Sequence, residues 1–464
     1  MSLSRDRKVL VIGLDCATPQ LVFDRWRGDL PNLDRLMSHG VFGELESCIP
    51  AITVPAWSVM TSSQDPGTLG IYGFRNRADY SYDKMSIAMG DAVKVDRVWD
   101  VLSKLGKQVN VVGVPGTFPP RPVNGCLVGC FLTTSTRGNY TYPAGLRNEI
   151  AEWVGEYQVD VPQFRTDDKD FLLRQIYAMT EQHFVVIQQL MQKPWDFFMF
   201  VEMGVDRIHH GLWSTTDPDH WKFEPGGKYV NAIHDYYVRL DQLIGEVLAQ
   251  LPPDTVVLVV SDHGARRMAG GLAVNEWLQR EGYLTLQQDL PASLTPFEKV
   301  KVDWSRTKAW GSGGYYGRIF LNVAGREPNG IIPQADYERE RDELARKLAS
   351  ICGPQGEELG TKVYKPEEIY HTVNNIAPDL IVYFGDLSWR AVGSLGLGSI
   401  YTIENDTGPD DANHARDGLF ILHDPDRPGS GQRTRAHIMD IAPTILDRMG
   451  LSIPADMQGK AIQN

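Results

Sequence analysis

Cysteine is scarce in this chain, with five in 464 residues (Cys16, Cys48, Cys126, Cys130, Cys352), an odd number and no C-x-x-C pair. That argues against a disulfide framework and against a cysteine-rich zinc site. Long apolar runs are missing as well; none approaches the roughly 20 residues a membrane-spanning helix needs. The opening MSLSRDRKVLVIGLD has neither the apolar region nor the small-residue cleavage site of a signal peptide. The cytoplasm is therefore the expected compartment. Positive charge is in deficit, with a formal net charge of −13. A nucleic-acid scaffold needs a basic surface, so that class is set aside. A small phosphorylated substrate stays open, because bound divalent cations reverse the local field. Internal repeats and low-complexity tracts are absent too.

What is present is an ordinary globular balance, 42% hydrophobic and 23% charged, long enough for one large domain with insertions, or two. Short runs that are apolar throughout recur: KVLVIGLD, QVNVVGVPG, DFFMFVEMGVD, TVVLVVSDHG and DLIVYFGD. Such runs suit strands buried on both faces of a mostly parallel sheet. Helical patterns lie between them, as in FLLRQIYAMTEQHFVVIQQLMQ and YVNAIHDYYVRLDQLIGEVLAQL. Alternation of this kind predicts an α/β fold, a mostly parallel central sheet flanked by helices on both faces. The stretch 276–378 is less regular and reads as a cap or insertion between a first core part, 1–275, and a last one, 379–464.

Ligands of such folds collect at the carboxyl ends of strands, and three of the runs reach an acid there: Asp15, Asp206 and Asp262. Asp206 and His210 stand four apart, on one face of any helical turn that follows the strand. Asp262 and His263 are adjacent and can share a site at a strand-to-loop corner. His414 sits in a Gly/Asp-rich loop just before the apolar segment GLFIL. Carboxylates and imidazoles from separate strand ends suit zinc or manganese. Each residue taken singly has an ordinary alternative, a helix cap for the acids and a surface hydrogen bond for the histidines; the ordered set is what points to metal. Thr53, between Pro50 and Pro55, enters a helix-like run. There the helix dipole and free N–H groups favour an anion, although by itself Thr53 would read as a plain N-cap.

The order Asp15, P-x-x-T-x-P around Thr53, Asp206-x-x-x-His210, Ser261-Asp262-His263-Gly264 and a late His414 resembles the alkaline phosphatase superfamily. Within it the chain is similar to the type I phosphodiesterase/nucleotide pyrophosphatase group. WDVLSKLGKQVNVVGVPGTFPPRPVNG and the closing DIAPTIL–GLSIPADMQGKAI resemble a prokaryotic branch described as predicted phosphohydrolase/phosphomutase. The resemblance implies an alkaline-phosphatase-like fold with a cap and two divalent metals, zinc first and manganese as the alternative. It implies one metal on Asp206, His210 and His414, another on Asp15, Asp262 and His263, and Thr53 as a metal-contacting nucleophile. The implied reaction is cleavage of a phosphodiester or pyrophosphate bond in a small phosphorylated substrate through a phospho-threonine; monoester hydrolysis or a phosphomutase reaction at the same site is the alternative, and an inactive phosphate-binding homologue a further one. His209 fits no ligand position and reads as structural.

Two comparisons sharpen this. Nucleotide pyrophosphatases carry T-G, then H-G-I, then a phosphate-binding Asn after the nucleophile. Here the matching places are Thr61-Ser62, Leu69-Gly70-Ile71 and Phe74, so Arg75, Asn76 or Arg77 is the expected substitute donor. Sulfatases of the superfamily need C-x-P-x-R, and Cys48-Ile49-Pro50-Ala51-Ile52 ends on Ile52 instead of Arg. Cys48 then reads as a small buried residue. The Gly311 patch lacks the Lys-Ser/Thr of a P-loop, and the charged run near Glu338 reads as a solvated helix face.

Overall fold

The computed structural model describes residues 7–290 and 293–463; the leaderless reading of the first six residues lies outside these. The chain divides into two compact units, the first made of 1–69, 88–265 and 415–464 and the second of 70–87 and 266–414. The second unit encloses 276–378 and takes in both the 70–87 segment and the residues up to His414.

The first unit is built on a nine-stranded sheet. Its strands are β1 (Val9–Leu14), β2 (Val41–Glu46), β3 (Val109–Val112), β4 (Gly125–Val128), β5 (Thr141–Tyr142), β6 (Phe197–Glu202), β7 (Val256–Val260), β8 (Asp417–His423) and β9 (Gln432–His437). Their spatial order is β9-β2-β8-β7-β1-β6-β3-β4-β5. β7, β1, β6, β3 and β4 are mutually parallel, whereas β8 and β5 run against their neighbours. The sheet is thus mixed, with the parallel centre that continuous apolar runs predict. β1, β6 and β7 are buried at every residue, as expected of strands covered on both faces. The edge strand β9, QRTRAH, is largely exposed and carries arginines, which blunt an open edge.

The helices of the first unit include α1 (Thr53–Ser62), α2 (Lys169–Met191), α3 (Gly204–Thr216), α4 (Ala232–Leu248) and α5 (Ile441–Arg448). α2 begins at Asp168, whose carboxylate accepts from Phe171 N–H, a side-chain N-cap. α1 is buried at all its positions, so helix propensity counts for less there than packing.

The second unit has its own core around Trp277, Trp310, Phe320, Phe384 and Leu380. A four-stranded antiparallel sheet orders Ala309–Ser312, Gly317–Leu321, Leu380–Tyr383 and Lys362–Tyr364. The run DLIVYFGD, grouped above with the parallel strands, is therefore an antiparallel strand of this second core; it is apolar throughout because all four of its residues are buried. Its packing obeys the same two-sided burial, which periodicity cannot tell from a parallel strand. No helix among the described residues is long and apolar enough to cross a membrane.

Candidate metal centre

β1, β6 and β7 lie side by side in register, so their carboxyl ends coincide. Asp15 follows β1 directly. Asp206 is in the first turn of α3 after β6, and His210 sits one turn further along. Asp262 and His263 follow β7 at the corner that leads into the next segment. All five are buried. Among the described residues of the first unit two groups form: Asp15, Asp262 and His263 offer ligand atoms within 4.8 Å of one another, and so do Cys16, Asp206 and His210.

Each acid is gripped on one oxygen. Asp15 Oδ2 accepts from the Trp57 indole N–H at 2.6 Å. Asp262 Oδ1 accepts from the backbone N–H of Cys16 at 3.2 Å. Asp206 Oδ2 accepts from Arg207, whose guanidinium is itself held by both oxygens of Asp160 at 2.7 and 2.8 Å. The other oxygens face inward: Asp15 Oδ1 and Asp262 Oδ2 are buried without a hydrogen-bond partner, and Asp206 Oδ1 lies 3.2 Å from His210 Nε2. His263 Nε2 lies 3.2 Å from Asp262 Oδ2 and 3.9 Å from Asp15 Oδ1.

Buried charges are paired or coordinate metals. Burial, and then the neighbouring Asp206, push the Asp15 carboxyl well above the usual range; burial and then Asp15 do the same to Asp262. Burial lowers His263 to about 4, so its imidazole is neutral near pH 7 and able to donate a lone pair. Asp15 Oδ1 and Asp262 Oδ2, buried without hydrogen-bond partners beside the neutral His263 imidazole, fit a divalent cation.

Thr53 is the first residue of α1, 4% exposed, and its Oγ1 is 3.4 Å from His263 Nε2. A hydroxyl at a helix N-terminus has free backbone N–H groups beside it, and a metal held nearby would lower its pKa. His414 is buried in the second unit with its ring stacked on Tyr315 at 3.8 Å. The next residue, Ala415, belongs to the first unit, where a Cβ added at Gly264 would lie 3.4 Å from it.

His209 is buried and lowered to about 3 by burial. It contacts the Cys16 carbonyl at 3.1 Å through Nδ1 and the Tyr237 hydroxyl at 3.2 Å through Nε2, a structural post behind the centre. Arg75, Asn76 and Arg77 fall in the second unit. Asn76 closes its own turn, accepting from Tyr72 N–H at 2.8 Å and donating to Gly73 O at 3.0 Å. Arg77 is buried and paired with Glu327 at 3.0 Å, while the Arg75 side chain is exposed.

Sequence reasoning missed Cys16, Trp57 and Arg207. Cys16 and Arg207 each directly follow a ligand candidate, and Trp57 lies one helical turn after Thr53; those adjacencies were the available signal.

Comparison with known proteins identifies the family and the fold. The chain matches the type I phosphodiesterase / nucleotide pyrophosphatase family over residues 9–410. Human ectonucleotide pyrophosphatase / phosphodiesterase 5 shares the fold at 14% identity and TM-score 0.55, over 97% of this chain and 96% of that one. The murine protein gives 15% identity and TM-score 0.56 over the same shares. An inactive murine form in complex with AMP gives 14% and 0.54, again over 97% and 96%. No match is found among curated proteins. The chain belongs to the type I phosphodiesterase / nucleotide pyrophosphatase family and is a phosphoric ester hydrolase by type.

Proposed function

We propose that the protein cleaves a phosphodiester or pyrophosphate bond by a two-step displacement on Thr53. The observation that carries this reading is the position of Thr53 Oγ1, 3.4 Å from His263 Nε2, beside two groups of buried ligand residues. Asp15, Asp262 and His263 would hold one divalent cation; Asp206, His210 and His414 the other, with His414 assigned by family order. Zinc is the first choice and manganese the alternative. Bound there, the cations stabilise charge on the attacking and leaving oxygens.

Thr53 Oγ gives up its proton to water and attacks phosphorus in line, the leaving oxygen departs with the bonding electron pair and takes up a proton, and a phospho-threonine forms. Water then attacks that phosphorus, and the Thr53 oxygen leaves and regains a proton. The burial of Thr53 limits solvent around the reacting hydroxyl. A nucleotide-type substrate is supported by the murine relative solved with AMP. The second reading, phosphomonoester hydrolysis or phosphomutase-type transfer, is favoured by Phe74, which stands where a phosphate-binding Asn falls in nucleotide pyrophosphatases. The free thiols suit a reducing compartment, and we place the protein in the cytoplasm.

Thr53→Ala in the metal-loaded protein tests the reading. Hydrolysis of a bis-p-nitrophenyl phosphodiester falls on the order of a thousandfold or more, with metal content unchanged. A rate that survives the substitution sinks the mechanism, and the diester-to-monoester rate ratio of the unaltered protein separates the two readings.

A further inference from the structure

Cys16 is the residue in the centre that the family pattern does not account for. It follows Asp15, is fully buried, and adopts φ +67°, a left-handed conformation that costs a side-chain-bearing residue about 1–2 kcal/mol. Three contacts hold it there. Its N–H donates to Asp262 Oδ1 at 3.2 Å, its carbonyl meets His209 Nδ1 at 3.1 Å, and its Sγ lies 3.6 Å from the Gly264 carbonyl. So anchored, Sγ falls within 4.8 Å of both the Asp206 carboxylate and the His210 imidazole, forming a Cys–Asp–His group at strand and helix ends. A packing cysteine needs only a small apolar neighbourhood; this one is set among carboxylates, beside the buried and unpartnered Asp15 Oδ1.

We infer that Cys16 is a thiolate ligand of the divalent metal held by Asp206 and His210, and that it makes this half of the centre selective for zinc over manganese. The inference rests on the two-metal reading above and narrows it. Coordination needs the thiolate, so the Sγ–H bond breaks as the metal–sulfur bond forms and one proton passes to solvent. Thiolate is a soft donor that favours zinc and disfavours manganese, whereas Asp15, Asp262 and His263 offer only oxygen and nitrogen. The two halves of the centre therefore differ in metal preference.

Cobalt(II) loading of the full chain reads the ligand directly. The unaltered protein shows a near-ultraviolet thiolate-to-cobalt charge-transfer band, and Cys16→Ser loses it. Cys16→Gly loses it too; glycine adopts the left-handed conformation without strain, so this variant keeps the result clear of misfolding. Cys352→Ser, altering an exposed thiol, keeps the band. In zinc/manganese competition, removal of the thiol shifts the preference toward manganese by about tenfold, and zinc binding releases one proton fewer. Cobalt bound without the band, or a band that persists in Cys16→Gly, overturns the assignment and leaves the Thr53 reading standing. Failure of the unaltered protein to bind cobalt or zinc overturns both.

Discussion

Trp57→Phe removes one N–H group and one ring from the wall of the centre, and the structure sets what each is worth. The indole N–H donates to Asp15 Oδ2 at 2.6 Å, both partners fully buried. Loss of a hydrogen bond to a carboxylate costs about 1.5–3 kcal/mol. The indole rim also fills space against β1: a Cβ added at Gly13 would meet Trp57 Cη2 at 2.7 Å. Phenylalanine leaves that space empty, a cavity penalty of about 1–2 kcal/mol. The sum, about 2.5–5 kcal/mol, is a large share of the 5–15 kcal/mol by which domains are usually stable. Because Trp57 lies one turn after Thr53, the same bond ties the start of α1 to the end of β1, which Asp15 follows. Zinc affinity should then fall about tenfold or more, as it does when groups behind metal ligands are removed. Denaturant unfolding followed by far-ultraviolet circular dichroism gives the first quantity, and zinc titration calorimetry the second. A variant that loses less than about 1 kcal/mol and binds zinc like the parent refutes the claim that this indole holds Asp15 in place.

Other consequences can be checked more briefly. Burial opposes protonation of His183, but the Glu202 carboxylate 3.1 Å away outweighs it and raises the pKa above its ordinary value. The folded state then binds the proton more tightly than the unfolded state. This stabilisation is complete below the unfolded pKa of about 6.5 and is lost as pH rises through the raised folded value. His183→Gln should therefore destabilise most at low pH, with the gap closing as pH rises; a gap constant across pH refutes the pairing. In the second unit, Glu327 is fully buried between Arg77 and Arg326, at 3.0 Å from each. Glu327→Gln leaves the buried Arg77 guanidinium without its carboxylate, whereas Arg326 keeps Asp379 at 2.8 Å; the change should cost about 3–5 kcal/mol, with limited proteolysis cutting first within 266–414. Cleavage that spares this segment contradicts that localisation.

The parallel heart of the fold was legible because β1, β6 and β7 are buried on both faces and write themselves as uninterrupted apolar runs. The strand-end placement of Asp15, Asp206 and Asp262 was legible for a related reason, since an acid at or near the end of such a run marks where the buried strand stops. β8 and β9 were not, because pairing direction is a long-range property that leaves no local mark; GLFIL reads the same whether it runs with β7 or against it. The separation of 70–87 from the first unit was equally hidden, as neighbours in sequence carry no label for the unit they join. Trp57 and Cys16 escaped for a different reason. Each acts through one atom whose direction depends on backbone conformation, a helical turn for the indole and a positive φ for the thiol.

The position of β2 bears on how the protein is made. β2 emerges early in synthesis, yet both of its neighbours, β8 and β9, belong to the segment 415–464. One flank of β7 likewise waits for β8. Translation runs from the amino terminus, and domains generally fold as units. A nascent chain halted before residue 415 would carry β2 with both ladders open and β7 open on one side. Unpaired strands of this kind recruit other chains. Ribosome stalling or a premature stop before residue 415 therefore leaves strand edges exposed that the complete sheet pairs.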